Sequence, residues 1–177
     1  MQPDQAKIFR DVYVAILKNE HTATKRCLAA VPDGQGDYKP HPTNMSATDL
    51  AWHIASSEMW FMQGVLNGKF DFSGGPARPA EVNTGSEIAA WYENAFADHI
   101  AKVEAMTGEQ LAQNVDFAII NEPAVAYLSF CNRHSVHHRG QLSAYLRPMG
   151  AKVPSIYGGS ADEPFEMPEQ AGSAAQA

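Results

Sequence analysis

Apolar positions in this chain recur at three- and four-residue intervals rather than in alternation, a period that belongs to helix and not to strand. The first such stretch carries Ile8, Phe9, Val12 and Ile16 as its apolar stripe. It predicts a helix over residues 4–30, opened near Pro3 and stopped by Pro32. Three prolines and two glycines in residues 32–44 mark a loop. Ser46, with Asp49 three positions on, resembles a capping pair and opens a second helix that lasts to Gly68. That helix is apolar on two sides: Leu50, Ile54, Phe61 and Val65 form one stripe, and Trp52, Ala55, Met59, Met62 and Leu66 a second. A helix of this kind is buried all round. A four-helix bundle covers one stripe with its own core, so the second predicts contact with another copy, a homodimer centred near Met59, the alternative being cover within one chain from the loop Lys69 to Asn83 or the tail after Gly150.

Residues 69–83 are rich in glycine and proline and read as a loop. Thr84 and Glu87 cap a third helix that continues to Met106, and Thr107 with Gln110 caps one further short turn. An irregular stretch follows to Glu122. Pro123 suits the first position of a fourth long helix, which ends near Arg147 because Pro148 cannot continue it. There is no internal repeat and no long strand pattern. The expected fold is all-α: a four-helix bundle occupying residues 1–165 as one domain, with residues 166–177 a disordered tail.

Charge and composition narrow the function classes. The 177 residues carry a net charge of −7, and no Lys/Arg stripe interrupts the acidic balance, which argues against nucleic acid as a partner. No apolar run approaches the roughly 20 residues a membrane span needs. No basic, apolar and cleavable leader is evident, and Cys27 and Cys131 lack any CxxC spacing, so the expectation is a cytoplasmic protein with free thiols.

The densest chemistry lies in Asn132-Arg-His-Ser-Val-His-His-Arg-Gly-Gln141, which holds His134, His137 and His138. His134 and His138, spaced i, i+4, lie one turn apart on one helical face, close enough to share a metal ion. They fall on the stripe that also carries Tyr127, Phe130 and Tyr145, so both are expected to point inward. A buried imidazole needs a partner, and carbonyl or hydroxyl groups would serve as well as a metal. No Glu follows the first histidine, so the HExxH arrangement of zinc proteases is absent. On the second helix His53 faces inward beside Ser57 and Gly64 and is the candidate third ligand. His21, His41 and His99 lack such a setting and are expected in solvent-facing or capping positions. Glu58 and Glu93 form no paired-carboxylate arrangement.

The run His134-Ser-Val-His-His-Arg-Gly-Gln-Leu-Ser-Ala-Tyr-Leu-Arg147 resembles the fourth-helix signature of the DinB-like proteins (the DinB/YfiT superfamily). Leu50-Ala-Trp-His-Ile-Ala-Ser-Ser-Glu-Met-Trp60 resembles the segment carrying that family's first histidine. Tyr38-Lys-Pro-His-Pro-Thr43 and Val153-Pro-Ser-Ile-Tyr-Gly158, with Asp162 and Glu163, extend the likeness over residues 5–165. The resemblance implies a metalloenzyme bundle, usually dimeric, holding a divalent transition metal on His53, His134 and His138. Zinc or nickel is expected first and iron next, since imidazole suits each of them. Similar proteins include bacillithiol S-transferases and mycothiol-dependent isomerases. The implied activity is therefore transfer of a low-molecular-weight thiol to a small electrophile, with Tyr145 and Gln141 as candidate catalytic residues orienting substrate. A metal-dependent hydrolase and a non-catalytic metal-binding stress protein are the alternatives.

Overall fold

The computed structural model describes residues 1–165 of the chain. Four long helices form the body: α1 (Pro3–Ala29), α2 (Ala47–Asn67), α3 (Gly85–Glu104) and α5 (Ala126–Leu146). Between α3 and α5 lie a short α4 (Gly108–Ala112) and an antiparallel hairpin of β1 (Asn114–Phe117) and β2 (Ile120–Pro123). Contacts run α1 to α3, α3 to α2, α2 to α5 and α5 back to α1, closing a four-helix ring around one core. The all-α bundle expected from the apolar period is the fold, with one small hairpin added.

Local signals set the helix starts. Gln2 and Gln5 form a capping box at the head of α1, with Pro3 in the first turn where its missing N–H goes unneeded. Ser46 accepts from the Asp49 amide at 3.1 Å. Thr84 with Glu87, and Thr107 with Gln110, close reciprocal capping boxes on α3 and α4. Gly68 ends α2 in the left-handed conformation (φ 63°), which only glycine adopts without strain. Gly108 seats α4 against the start of α1, where an added Cβ would come within 2.6 Å of the Pro3 carbonyl oxygen.

Three expectations are corrected. The stretch before α5 is a hairpin in register Phe117 to Ile120, so Pro123 ends β2 and the helix starts at Ala126. Its turn is Ala118-Ile119, with Ala118 at φ 54° and Ile119 fully exposed, and no Asn-Gly announces it. On α1, the core stripe is Ala6, Val14, Leu17, Thr24, Cys27 and Leu28, while Ile8, Phe9 and Val12 are exposed. On α2, Met59 and Met62 are 1 % and 0 % exposed inside the chain's own core, and Trp52 packs on Trp91 with ring centroids 4.6 Å apart. Met59 and Met62 of the second stripe are thus covered within one chain, with α3 and α5 packed against α2, while Trp52 and Leu66 are partly buried.

The core also holds charge. Arg139 is 1 % exposed and donates to the Glu20 carboxylate at 2.6 Å, the Thr24 hydroxyl at 3.0 Å and the Tyr157 hydroxyl at 2.5 Å. This ties α5 to α1 and to the segment after Gly150. Arg26 with Glu163, and Arg147 with Asp162 at 2.8 Å, fasten the same segment. The residues of the expected tail, 166–177, lie outside those described. Among the described residues no helix is long and apolar enough to cross a membrane.

Candidate metal centre

The buried line of α5 runs Leu128, Cys131, Ser135, Arg139, Leu142 and Leu146. His134 and His138 stand beside that line, half-buried at the groove where α5 meets α2. The groove places them opposite His53, one turn on from Asp49 in α2. The three imidazoles each offer one nitrogen within 4.8 Å of the others. Nε2 of His53 and Nε2 of His138 are 3.2 Å apart. Two ligand nitrogens on one tetrahedral ion, each about 2.0–2.1 Å from it, would be separated by roughly the same distance.

The remaining nitrogens show how the rings are aimed. Nδ1 of His138 lies 2.8 Å from Oε1 of Gln141. A carbonyl oxygen only accepts, so Nδ1 carries the proton and Nε2 turns its lone pair toward His53. Nδ1 of His53 lies 3.2 Å from the Ser57 hydroxyl, which donates or accepts and so permits either tautomer. Nδ1 of His134 is buried without a hydrogen-bond partner among the described residues, a loss of about 1–3 kcal/mol unless something else satisfies the ring.

Electrostatics keep the cluster neutral at pH 7. Burial, then the neighbouring His138, His53 and His137, hold the His134 imidazole down to about 4. Burial and His138 lower His53. Burial lowers His138 too, with Gln141 opposing and His137 assisting. Unprotonated imidazole is the form that binds metal, and three of them converge with no carboxylate among them. The donor set fits a divalent transition metal.

His53 and His134 also line a cavity of about 550 Å³. One wall is α2, through Trp52, Ser56, Ser57 and Trp60; another is α5, through Phe130. The loop of residues 71–76 and Phe117 at the end of β1 close it. The unpredicted hairpin therefore supplies a wall of the site.

The other residues singled out from the sequence fall elsewhere. Gln141 is exposed on the outer side and serves His138. Tyr145 is 7 % exposed; its hydroxyl accepts from Asn44 Nδ2 at 3.0 Å and stands 3.5 Å from the Met45 carbonyl, so it secures the loop before α2. His137 is exposed beside His138. His41 and His99 make short-range contacts, to Thr43 and the Ala95 carbonyl. His21 is instead stacked against both Tyr92 and Phe96, at 4.9 and 4.2 Å.

Sequence reasoning misses Glu58 as a core residue. It is 2 % exposed, accepts from Tyr92 Oη at 2.9 Å and from the hydroxyl of Ser135, the neighbour of His134, and so links α2, α3 and α5. Burial pushes its carboxyl up to about 7, with those two hydrogen bonds opposing. A signal for it exists: at 100° per residue Glu58 falls between the Leu50, Ile54, Phe61 and Val65 stripe and the Met59 and Met62 stripe, on a helix apolar to both sides of it.

Comparison with known proteins follows the same lines. The model of the DinB family matches residues 4–170. The chain is 29% identical to Bacillus subtilis YjoA over 116 residues, 64% of this chain and 73% of that protein. It is 26% identical to Bacillus subtilis YrdA over 147 residues, 81% of this chain and 85% of that protein. The crystal structure of YjoA, a DinB-like protein, superposes with a TM-score of 0.68 at 26% identity, covering 81% of this chain and 96% of that one. A DinB-like protein from Bacillus cereus shares the fold with a TM-score of 0.69 at 23% identity, covering 82% and 95%.

Proposed function

The chain belongs to the DinB family, and from that premise we propose that it holds one divalent transition-metal ion on His53, His134 and His138 and joins a low-molecular-weight thiol to a small electrophile. The observation that carries the reading is the convergence of three neutral imidazoles beside a cavity that can receive a second molecule. When bound, the metal would supply Lewis acidity and lower the pKa of a thiol at the site toward neutrality.

The chain's own residues do the rest. Gln141 fixes the tautomer of His138, and Ser57 steadies His53. The half-buried setting keeps protons off all three rings at pH 7. In the reaction a sulfur–carbon bond forms at the electrophilic carbon. The thiol proton passes to solvent, and the displaced group leaves with the electrons of the broken bond. The aromatic walls offer the electrophile an apolar surface beside the histidines.

The test is a turnover screen of metal-loaded protein with bacillithiol, mycothiol and simpler thiols against alkylating electrophiles, in a reducing buffer matching the cytoplasmic setting proposed for it. Thioether formation that depends on both metal and thiol supports the transferase. Hydrolysis of the electrophile without thiol transfers the site to a metal-dependent hydrolase. Metal binding with neither reaction leaves a binding protein.

A further inference from the structure

We propose that the cavity beside the histidines receives the body of the electrophile, and that this body is a flat, uncharged aromatic or conjugated ring system. The inference deepens the transferase reading and rests on it for calling the occupant a substrate; the chemistry of the cavity stands independently.

Three observations carry it. The walls are aromatic: Trp60 meets Phe72 and Phe117 edge-on, with centroids 5.7 and 6.0 Å apart at 69° and 63°, and Phe130 lies 5.5 Å from Phe117. Rings packed this way offer faces and edges to another ring, the arrangement aromatic pairs prefer. Charge is the second observation. No Lys or Arg lines the cavity among the described residues. Asp71, the acidic residue there, directs its carboxylate to the Ser73 amide at 2.9 Å. A carboxylate or phosphate on the part of the occupant held among the aromatic walls, away from the histidines, would find no cationic side chain, so burial there selects against it.

The third is that the cluster has two unlike sides. His53 and His134 line the cavity, whereas His138 does not, and its neighbours His137 and Gln141 are exposed. A polar thiol bearing carboxylates or sugar hydroxyls fits the open side, and the apolar partner fits the cavity. The rim is built for contact as well. Phe72 is 60% exposed on the loop, yet that loop is latched by the Trp60 indole N–H donating to the Asp71 carbonyl at 2.8 Å.

The experiment uses protein labelled with nitrogen-15 at its three tryptophans, 52, 60 and 91. It is titrated with 2-naphthalenemethanol and with 2-naphthoate, both metal-free and zinc-loaded, following the indole N–H signals. In the metal-free protein the alcohol is expected to move the Trp60 signal saturably and more than that of Trp91, and the carboxylate to bind at least about tenfold more weakly. Phe72→Ser, at an exposed position, should weaken the alcohol about fivefold without changing zinc affinity. Equal or tighter binding of 2-naphthoate to the metal-free protein, no saturable shift, or an unchanged Phe72→Ser affinity overturns the proposal. Zinc stoichiometry measured on the same samples separates the two readings. If the alcohol binds a protein that takes no zinc, the cavity stands and the metal reading falls. If zinc binds and the alcohol does not, only this inference falls.

Discussion

Glu58→Gln is expected to remove the pH dependence of stability that arises at its site. The carboxyl is buried among α2, α3 and α5 and is held up to about 7 against an ordinary value of 4.5. At low pH both folded and unfolded chains keep that proton. As pH rises past 4.5 the unfolded chain releases it while the buried group does not, so stability falls across the window from 4.5 to about 7 and levels off above it. At about 1.4 kcal/mol per pH unit, the loss is roughly 3 kcal/mol once complete. Glutamine has the shape of the protonated carboxyl and does not titrate, and its amide can still meet Tyr92 and Ser135. Urea unfolding of both metal-free proteins from pH 5 to pH 8 isolates the effect. The difference between them should move by about 2 kcal/mol in favour of the glutamine variant over that range. Parallel profiles, with the difference constant to within about 0.5 kcal/mol, would refute the picture of a neutral carboxyl in the core.

Arg139→Met removes the cation that Glu20, Thr24 and Tyr157 share. It should destabilise the fold by about 2–4 kcal/mol, less than for a wholly buried pair because Glu20 keeps some access to water; an unchanged urea midpoint would show that the cluster carries no stability. Gln141→Leu, at an exposed position, should leave the unfolding curve in place while weakening metal binding about 10–100-fold by freeing the His138 ring. Metal affinity equal to that of the unmutated protein would place the orientation of His138 elsewhere.

Much of the fold is legible in the sequence because capping chemistry is local. Ser46 with Asp49, Thr84 with Glu87 and Thr107 with Gln110 each mark a helix start to within a residue. Gly68 marks an end. The metal centre is legible in part for the same reason, since an i, i+4 histidine pair needs only a helix to bring it together, while pairing it with His53 requires the family resemblance. What escapes depends on which face of a helix the rest of the chain covers. The aromatics of α5 suggest one inner face, but Leu128, Leu142 and Leu146 lie about 100° further round and line the core, which carries Ser135 and Arg139 inside. The histidines then sit at the margin, where a site can open on a cavity. The same ambiguity on α1 leaves Ile8, Phe9 and Val12 facing outward. The double stripe of α2 does not by itself argue for a dimer, because the chain's own core covers Met59 and Met62, which periodicity within one helix cannot reveal. The β1–β2 hairpin escapes because its turn has neither glycine nor asparagine, each strand is only four residues long, and β2 shows no alternation of burial.

The claim on which the account turns is that three histidines from two helices hold one ion. Equilibrium dialysis of the purified protein against zinc at neutral pH, alongside His53→Ala, His134→Ala and His138→Ala, addresses it directly. The expected result is one ion per chain for the unmutated protein and, for each variant, an affinity lower by at least about a hundredfold, since two imidazoles remain where three converged. Full zinc occupancy in the His134→Ala protein, or no bound ion in the unmutated chain, would contradict it.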